Sequence, residues 1–390
     1  MSDNTIQMRS PLASTQRPLL VCLSHLRWNF VFQRPQQLLS RAAKHYQIIY
    51  IEEPVLEAGV EPTARIEAPF TSIRVVTPVL PATASPSQKI QYQRKLVDEL
   101  IAGTPHDRLV MWYYTPMALA FSDHVVGNVC VYDCMDELSA FRFAPPDLRE
   151  LEKVLFRRAD IVFTGGQSLY EAKRNMHRAI YPFPSSIDTI HFRQARQLCE
   201  EPADQVAIPG PRVGYFGVID ERLDIELVTV ASKAMPDVQF VMLGPVVKLD
   251  PLSLPQAANL HWLGSKSYSE LPAYLAHWDA GWMPFALNKA TRYISPTKTP
   301  EFLAAGLPVV STAIVDVVRS YAAAGLVDIA DKEDIEVKLR MALGRPRHGF
   351  HRQVDEYLSD MSWDRTWNAM ADHVARTAAV KSSVPLRKGA

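Results

Sequence analysis

The sequence predicts an α/β protein made of two doubly wound parallel sheets, and three observations lead to this prediction. Short apolar runs alternate with amphipathic helical stretches along most of the chain. A polar, proline-rich segment interrupts the alternation near the middle, and a second alternating series follows it. Several strands of the second series end on Gly, Pro or Ser, small residues that let a ligand approach the carboxyl edge of an open sheet.

The first series fills the first half of the chain. Its predicted strands are apolar runs typical of buried parallel strands, at residues 18–24, 47–51, 72–78, 109–113, 128–132 and 160–164. Two of these runs lead into polar loops. Ser24 to Asn29 follows the first strand, and Asp133 to Glu137 follows the fifth. Loops at the carboxyl edge of such a sheet are where binding residues are expected.

Five prolines between Tyr181 and Pro211 mark the boundary between two Rossmann-like domains. In the terminal helix, Trp363, Trp367 and Met370 share one face, which predicts firm docking on the first domain. The predicted units are a disordered leader at 1–17, an N-terminal domain at 18–185, a linker at 186–211, a C-terminal domain at 212–355, the terminal helix at 360–378 and a flexible tail at 379–390.

Composition narrows the class of protein. The 390 residues contain 42 basic and 42 acidic side chains, a balance that argues against a nucleic-acid binder. No apolar run is long enough to predict a transmembrane helix, and the N-terminus lacks the apolar core of a signal peptide. Cys22, Cys130, Cys134 and Cys199 fit neither a disulfide framework nor a zinc site. We therefore expect a cytoplasmic protein.

The segment from Ile294 to Ser311 is the strongest candidate for a binding site. It predicts a loop, a short helix and a buried strand, with Ser295 as the N-cap and Pro296 at the first helical position. Gly306 is the expected C-terminal glycine, and Pro308 prevents continuation of the helix.

The start of this helix could bind phosphate. Its first-turn amides, together with Thr297 and Lys298, converge on one point where the helix dipole favours an anion. Glu301 lies about one turn further along, where its carboxylate could accept hydrogen bonds from a ribose diol. The alternative interpretation is an ordinary capped helix of an α/β domain.

Five segments of the second half, in order, resemble the GT-B glycosyltransferases. They are Val213 to Asp220, Pro236 to Gly244, Leu263 to Tyr268, the pair Pro284-Phe285, and Ser295 to Val310. In the first half, the segments Gln33-Arg34-Pro35-Gln36 and Val131-Tyr132-Asp133 look like one bacterial branch, which contains teichuronic-acid and exopolysaccharide transferases. The resemblance covers roughly residues 19–378 and implies two domains facing a cleft.

The resemblance implies a nucleotide-sugar donor, with a UDP-sugar favoured. Glu301 would bind the ribose hydroxyls, while Thr297, Lys298 and the helix started by Ser295 would hold the diphosphate. Gly217 would let the first loop of the second domain lie close to the phosphates.

Two further donor contacts and the absence of a metal also follow from the resemblance. Arg222 would add positive charge near the phosphates, and the neighbourhood of Gly264 would flank the base. No Asp-x-Asp pair occurs in the sequence, and the family typically works without a metal or other cofactor.

The chain departs from the family pattern at two places. Tyr293 stands where many members have a Glu eight positions before the ribose-binding Glu, so Asn288, Arg292 or Tyr293 would have to replace its contact with the donor sugar. The loop from Ser24 to Asn29 also lacks the usual paired glycines.

Side chains of the first half are therefore expected to build the acceptor or catalytic site. His25 is either a general base or a capping histidine, and Asp133 and Asp136 are either catalytic carboxylates or ordinary turn residues. Arg27, Trp28 and Arg34 are candidates for the acceptor side, although the last could simply start a helix.

The predicted function is transfer of a sugar to a glycan or lipid-linked acceptor in bacterial polysaccharide synthesis. Two alternatives stay open: a noncatalytic binding module of a polysaccharide assembly complex, and a nucleotide-sugar epimerase on the same fold. A lipid-linked acceptor would add peripheral contact with the inner face of the membrane.

Overall fold

The computed structural model describes residues 17–197 and 200–383. The predicted leader apart from Arg17, the cysteine at position 199, and the end of the predicted tail beyond Ser383 lie outside the described residues. Within the described ranges, no helix combines the length and the hydropathy required to cross a membrane.

The first half forms a nine-stranded sheet. Its strands are β1 (Leu19–Leu23), β2 (Gln47–Ile51), β3 (Val55–Glu57), β4 (Thr63–Phe70), β5 (Ile73–Pro81), β6 (Leu109–Tyr113), β7 (Val129–Cys134), β8 (Ile161–Thr164) and β9 (Ile180–Pro182). The spatial order is β3-β5-β2-β1-β6-β7-β8-β9, with β4 paired antiparallel to β5. Strand β4 was missed in the sequence because it is largely exposed and carries no buried apolar run.

Five helices accompany this sheet: α1 (Arg34–Ala42), α2 (Pro86–Ile101), α3 (Leu119–Ser122), α4 (Leu148–Arg158) and α5 (Gln167–Lys173). Two clusters of buried apolar residues lie on its two sides, so the central strands are covered on both faces. This arrangement explains why these strands appear in the sequence as continuous apolar runs.

The second half forms a six-stranded parallel sheet. Its strands are β10 (Arg212–Phe216), β11 (Gln239–Leu243), β12 (Leu260–Gly264), β13 (Ala280–Met283), β14 (Val309–Ser311) and β15 (Val327–Ile329). The spatial order β12-β11-β10-β13-β14-β15 is the 3-2-1-4-5-6 order of a Rossmann fold. The predicted fold class, two Rossmann-like doubly wound sheets, is confirmed.

The remaining helices are α6 (Thr189–Arg193), α7 (Ile225–Ala234), α8 (Leu271–Leu275), α9 (Lys298–Ala305), α10 (Val315–Val317), α11 (Ile335–Leu343), α12 (Arg347–Leu358) and α13 (Trp363–Ser383). Two glycines let elements approach the second sheet closely. A Cβ on Gly214 would lie 2.0 Å from the ring of Trp278, and one on Gly281 would lie 2.6 Å from the ring of Phe302. The second contact seats α9 directly on β13.

The terminal helix α13 packs against the first sheet. The rings of Trp112 and Trp367 lie 6.1 Å apart, and Trp363 and Met370 belong to the same buried cluster. The helix continues to Ser383, past residue 378, where the tail was predicted to begin. Helical hydrogen bonding thus extends into residues whose composition suggested fraying.

The predicted linker is part of the second domain's core. Ile187, Phe192, Ala195 and Ile208 are buried in the same apolar cluster as β10 and β13. The chain therefore leaves the first domain close to Ser185. The segment that follows packs against the core of the second domain.

Candidate active site

Each sheet has a point at which its strand order reverses. In the first sheet this is the gap between the carboxyl ends of β1 and β6, here named the first switch point. In the second sheet it is the gap between β10 and β13, named the second switch point. Such reversals leave a crevice beyond the strand ends, and ligands of open α/β sheets bind there.

The helix that was predicted to bind phosphate stands beside the second switch point. Helix α9 follows β13 and ends at Gly306, which adopts the predicted left-handed conformation with φ of 88°. Its N–H donates to the carbonyl of Leu303, and the N–H of Leu307 donates to that of Phe302. These bonds satisfy carbonyls at the helix end, as expected for a C-terminal glycine.

The start of α9 differs from the prediction. The helix begins at Lys298 with Thr297 as its N-cap, two residues later than Ser295 and Pro296 suggested. Ser295 instead bonds to the first domain: its hydroxyl accepts from the N–H of Ser185, whose own hydroxyl donates to the Ser295 carbonyl. Ser295 thus bonds one domain to the other. This contact explains the position of Ser295 without a role in binding the donor.

Lys298 and Gly217 are brought together as the resemblance implied. The Nζ of Lys298 donates to the Thr297 hydroxyl at 3.1 Å and lies 5.2 Å from the centre of the Phe216 ring. A Cβ on Gly217 would meet the Lys298 Cε at 3.3 Å and the Tyr215 hydroxyl at 2.9 Å, and its φ of 148° disfavours other residues. The positive charge therefore lies against bare backbone at the end of β10.

Glu301 is a buried carboxylate with unused hydrogen-bonding capacity. Only 6% of the residue is exposed, and Oε2 has no hydrogen-bond partner among the described residues. The Nζ of Lys298 lies 3.7 Å from this oxygen. Burial raises the pKa of Glu301, with Lys298 opposing the shift. Because buried polar groups are nearly always satisfied, a free acceptor at a ligand crevice points to a ligand.

Arg222 pairs with a carboxylate of its own domain and contacts an aromatic ring of the first domain. Its Nε and Nη2 donate to the Asp220 carboxylate at 2.8–3.2 Å, and its guanidinium lies 5.5 Å from the Phe141 ring. Burial raises the pKa of Asp136 to about 6, an effect that Arg222 and Arg34 oppose and Asp220 reinforces. The segment around Phe141 therefore meets the loop after β10 across the cleft.

His25 lies at the first switch point, as predicted from its position after β1. Its Nδ1 is enclosed and has no hydrogen-bond partner in the part of the chain that the structure describes. Burial lowers the pKa of His25 to about 4, Lys248 lowers it further, and an interaction with the Tyr114 backbone opposes the shift. The imidazole is thus neutral at pH 7 and a weak proton acceptor.

Two predicted site residues form a buried ion pair with each other. Arg34 donates from Nε and Nη2 to the Asp133 carboxylate at 2.9–3.1 Å, and its Nη1 donates to the Phe183 carbonyl at 2.8 Å. Asp133 is 0% exposed and Arg34 is 4% exposed. This geometry overturns the catalytic role predicted for Asp133 and the acceptor contact predicted for Arg34, because both groups are already paired and enclosed.

Arg27 and Trp28 are also committed to the first domain. Glu52 accepts from the Arg27 guanidinium at 3.0 Å and from the Trp28 N–H at 2.7 Å. The Trp28 ring is buried and packs edge-on against Tyr50 with centroids 5.1 Å apart. The two residues fix the loop after β1, and their predicted contact with an acceptor stays a prediction.

Tyr268 lies in the cleft. It is the last residue of the segment Leu263 to Tyr268, but no role was predicted for it from the sequence. Its ring stacks on Phe32 at 4.4 Å and on His191 at 4.2 Å, and its hydroxyl accepts from Gln37 Nε2 at 3.1 Å. Gly264, at the end of β12, takes a φ of 71°. Its predicted place beside the base stays a prediction.

The two Rossmann-like domains, with their carboxyl edges facing each other, define the GT-B fold of glycosyltransferases. A sucrose-phosphate synthase (tll1590) from Thermosynechococcus elongatus is similar, with a TM-score of 0.69, 14% identity, and coverage of 93% of this chain and 100% of that one. A trehalose-6-phosphate structure from E. coli bound with UDP-2-fluoro glucose has a TM-score of 0.67 and 12% identity, covering 94% and 100%.

A Burkholderia xenovorans α,α-trehalose-phosphate synthase (UDP-forming), in complex with glucose-6-phosphate, has a TM-score of 0.64 and 13% identity, covering 91% of this chain and 99% of that one. These likenesses confirm the predicted GT-B fold.

A curated Bacillus subtilis (strain 168) protein named "Putative teichuronic acid biosynthesis glycosyltransferase TuaH" is 26% identical over 234 residues. The match covers 56% of this chain and 59% of that protein, so the chain spans less than two thirds of the length of this relative. No protein-family model matches the chain. The predicted resemblance to GT-B glycosyltransferases is confirmed in both sequence and fold.

Proposed function

We propose that the protein is a glycosyltransferase that moves a sugar from a nucleotide-diphosphate-sugar, favoured to be a UDP-sugar, to a glycan or lipid-linked acceptor. The bacterial relative named for teichuronic acid biosynthesis supports a role in polysaccharide synthesis. A solved neighbour bound to UDP-2-fluoro glucose supports the class of donor. The reaction would take place in the cytoplasm, with peripheral contact at the inner face of the membrane if the acceptor is lipid-linked.

The observation that carries this proposal is the unsatisfied Glu301 beside Lys298 at the second switch point. A buried carboxylate oxygen without a hydrogen bond costs stability, so the site is built to be completed by donor hydroxyls. Lys298 and the first-turn amides of α9 supply positive charge next to it for a diphosphate. A ribose followed by a diphosphate matches this order of groups.

The proposed roles of the charged residues follow from where negative charge develops during the transfer reaction. When the bond between the sugar and the diphosphate breaks, negative charge grows on the leaving group, and fixed donors stabilise it. Lys298 and the α9 amides fill this role, and Arg222 adds charge from the loop after β10. Asp136 lies across the cleft and is the first-domain carboxylate with the pKa best suited to accept a proton from the acceptor hydroxyl.

The reaction is proposed to need no metal, because protein groups supply the positive charge at the diphosphate. We expect the same rate of donor turnover before and after treatment with EDTA. A rate abolished by EDTA and restored by Mn²⁺ or Mg²⁺ would contradict this part of the proposal.

A noncatalytic binding module is the second candidate, and two observations favour it. The low pKa of His25 makes it a weak base, and Asp133 is enclosed in an ion pair with Arg34, so neither supports a catalytic role strongly. Such a module would bind the nucleotide-sugar without consuming it.

Titration and turnover together test the proposal. Isothermal titration with UDP and UDP-glucose measures donor binding, and release of UDP from UDP-glucose, UDP-glucuronate and UDP-N-acetylglucosamine measures turnover. Binding with turnover supports the enzyme, binding without turnover of any donor favours the module, and release of an epimerised sugar would indicate the epimerase. Failure of both UDP and the UDP-sugars to bind would refute the proposed donor class.

A further inference from the structure

A cavity of about 470 Å³ lies between the two domains. The first domain contributes the turn at Ser139, helix α4 and the end of the α5 segment. The second domain contributes Lys289, Arg292 and Tyr293, from the loop that connects β13 to α9. The volume falls in the range of small-molecule sites, roughly 300–1,000 Å³.

Cations without carboxylate partners surround this cavity. Arg149, Lys289 and Arg292 line it, and within the described ranges none of them forms an ion pair. The Arg149 Nε donates only to the Ser139 hydroxyl, at 3.2 Å, and the Arg292 guanidinium lies 5.3 Å from the Tyr293 ring. Three exposed cations from two domains thus line one cavity, and none of them is paired with a carboxylate of the described residues.

The carboxylates of the cavity are already matched. Glu137 and Glu152 line it, and each has an oxygen 2.8 Å from the Nζ of the buried Lys173. Glu152 also accepts from the Tyr132 hydroxyl at 2.8 Å. Because Lys173 already pairs with these two carboxylates, they leave the charges of Arg149, Lys289 and Arg292 unmatched.

We propose that the cavity binds an acidic sugar, one that carries a carboxylate or phosphate, as the acceptor residue of the transfer reaction. Arg149, Lys289 and Arg292 would bind the acidic group of this sugar. The proposal rests on the glycosyltransferase function proposed above. Because both domains line the cavity, the acceptor would be held only when they are together as in this structure.

The test compares sugars that differ in charge. Wild-type protein saturated with UDP is titrated with glucose, glucuronate and glucose 6-phosphate at one ionic strength. We expect both acidic sugars to bind more tightly than glucose, and the order of the two acids identifies a carboxylate or a phosphate. Equal affinity for all three sugars, or no measurable binding of either acid, overturns the proposal.

A double variant, Arg149→Gln with Lys289→Gln, removes two of the cations and should weaken binding of the preferred acid measurably, by up to about thirtyfold, since each exposed ion pair contributes up to about 1 kcal/mol. The matched control is Lys233→Gln with Arg352→Gln, two exposed cations that form no ion pair within the described ranges and lie away from the cavity. Unchanged affinity in the first variant overturns the proposal.

Titration of the same samples with UDP distinguishes failure of the acceptor assignment from failure of the proposed function. If UDP binds and turns over but acidic sugars show no preference, only the acceptor assignment fails. If UDP itself does not bind, the proposed function fails first. Both double variants should bind UDP as the wild type does, because none of the four side chains is assigned to the donor.

Discussion

The two switch points share a topology but differ in how their polar groups are used. At the second, Glu301 keeps a free oxygen, and Lys298 makes one hydrogen bond, to its neighbour Thr297. At the first, Arg34 and Asp133 satisfy each other, and Arg27 is bound to Glu52. The second is therefore ready to bind a polar ligand, whereas most of the first is stabilised from within.

The comparison shows which polar residues at a strand end are good candidates for a ligand-binding site. Candidate residues in both domains were chosen because they lie at the carboxyl edge of a sheet, and that position does not separate binding residues from structural ones. Spare hydrogen-bonding capacity separates them, because a group that is fully paired in the free protein gains little from a ligand. Asp136 and His25 are the first-domain groups that remain to contribute chemistry, and their pKa shifts run in opposite directions.

The largest expected effect tests whether the first domain contributes chemistry at all. Asp136→Asn should lower the rate of donor turnover by roughly 10²–10⁴-fold, the usual range for loss of a general base. Since burial raises the pKa of Asp136 to about 6, the wild-type rate should fall as pH drops through 6, where the carboxylate gains a proton.

His25, with a pKa of about 4, stays neutral through that range and does not contribute to the fall. The rate is measured between pH 5 and 8 in both proteins, with UDP affinity as the control. A variant with the wild-type rate and profile would mean that Asp136 takes no proton.

Arg34→Ala tests the statement that the first switch point is stabilised from within. Loss of one partner leaves the Asp133 charge buried and unpaired, which costs about 3–5 kcal/mol of unfolding free energy. Urea denaturation measures it. The matched control is Arg94→Ala, which breaks an exposed pair with Asp123 and should cost at most about 1 kcal/mol. Equal losses in the two variants would contradict the buried pair's role.

Glu301→Ala makes the complementary test at the second switch point. Donor affinity should fall at least about tenfold, since a hydrogen bond to a charged group contributes roughly 1.5–3 kcal/mol. The fold should be retained, because the free protein leaves Oε2 unpartnered. Calorimetry with the nucleotide-sugar measures affinity, and Glu61→Ala, at an exposed position of the first domain, is the control. Unchanged affinity would remove Glu301 from the site.

The smallest expected effect is a movement that brings the two switch points together. Contacts such as Gln37 with Tyr268 and the Arg142 N–H with Glu221 already cross the cleft. Donor binding should shorten the distance between spin labels at Lys44 and Lys233, because each edge holds only part of the site. A label pair within the first domain should not change. An identical cross-cleft distance with saturating donor would show a preformed site.

Much of the fold could be predicted from local pattern. The strands at 47–51 and 109–113 were predicted with the bounds that the structure gives, because each is a short apolar run closed by a turn. The exposed strand β4 and the late start of α9 were not predicted. Exposure removes the apolar signal from β4, and Ser295 bonds to Ser185 in the other domain instead of capping the helix.

The sequence pattern alone was enough to predict two Rossmann-like domains, because short apolar strands and their turns are local signals. The meeting of Gly217, Lys298 and Glu301 was implied by the resemblance to GT-B glycosyltransferases. The pairing of Asp133 with Arg34, 99 residues away, and the contact of Gln37 with Tyr268, 231 residues away, became known only from the tertiary structure. Such pairs depend on which elements become neighbours in space. A hydrogen bond between distant segments produces no periodic pattern in the sequence. The partner of a polar group can therefore be identified only from the folded structure.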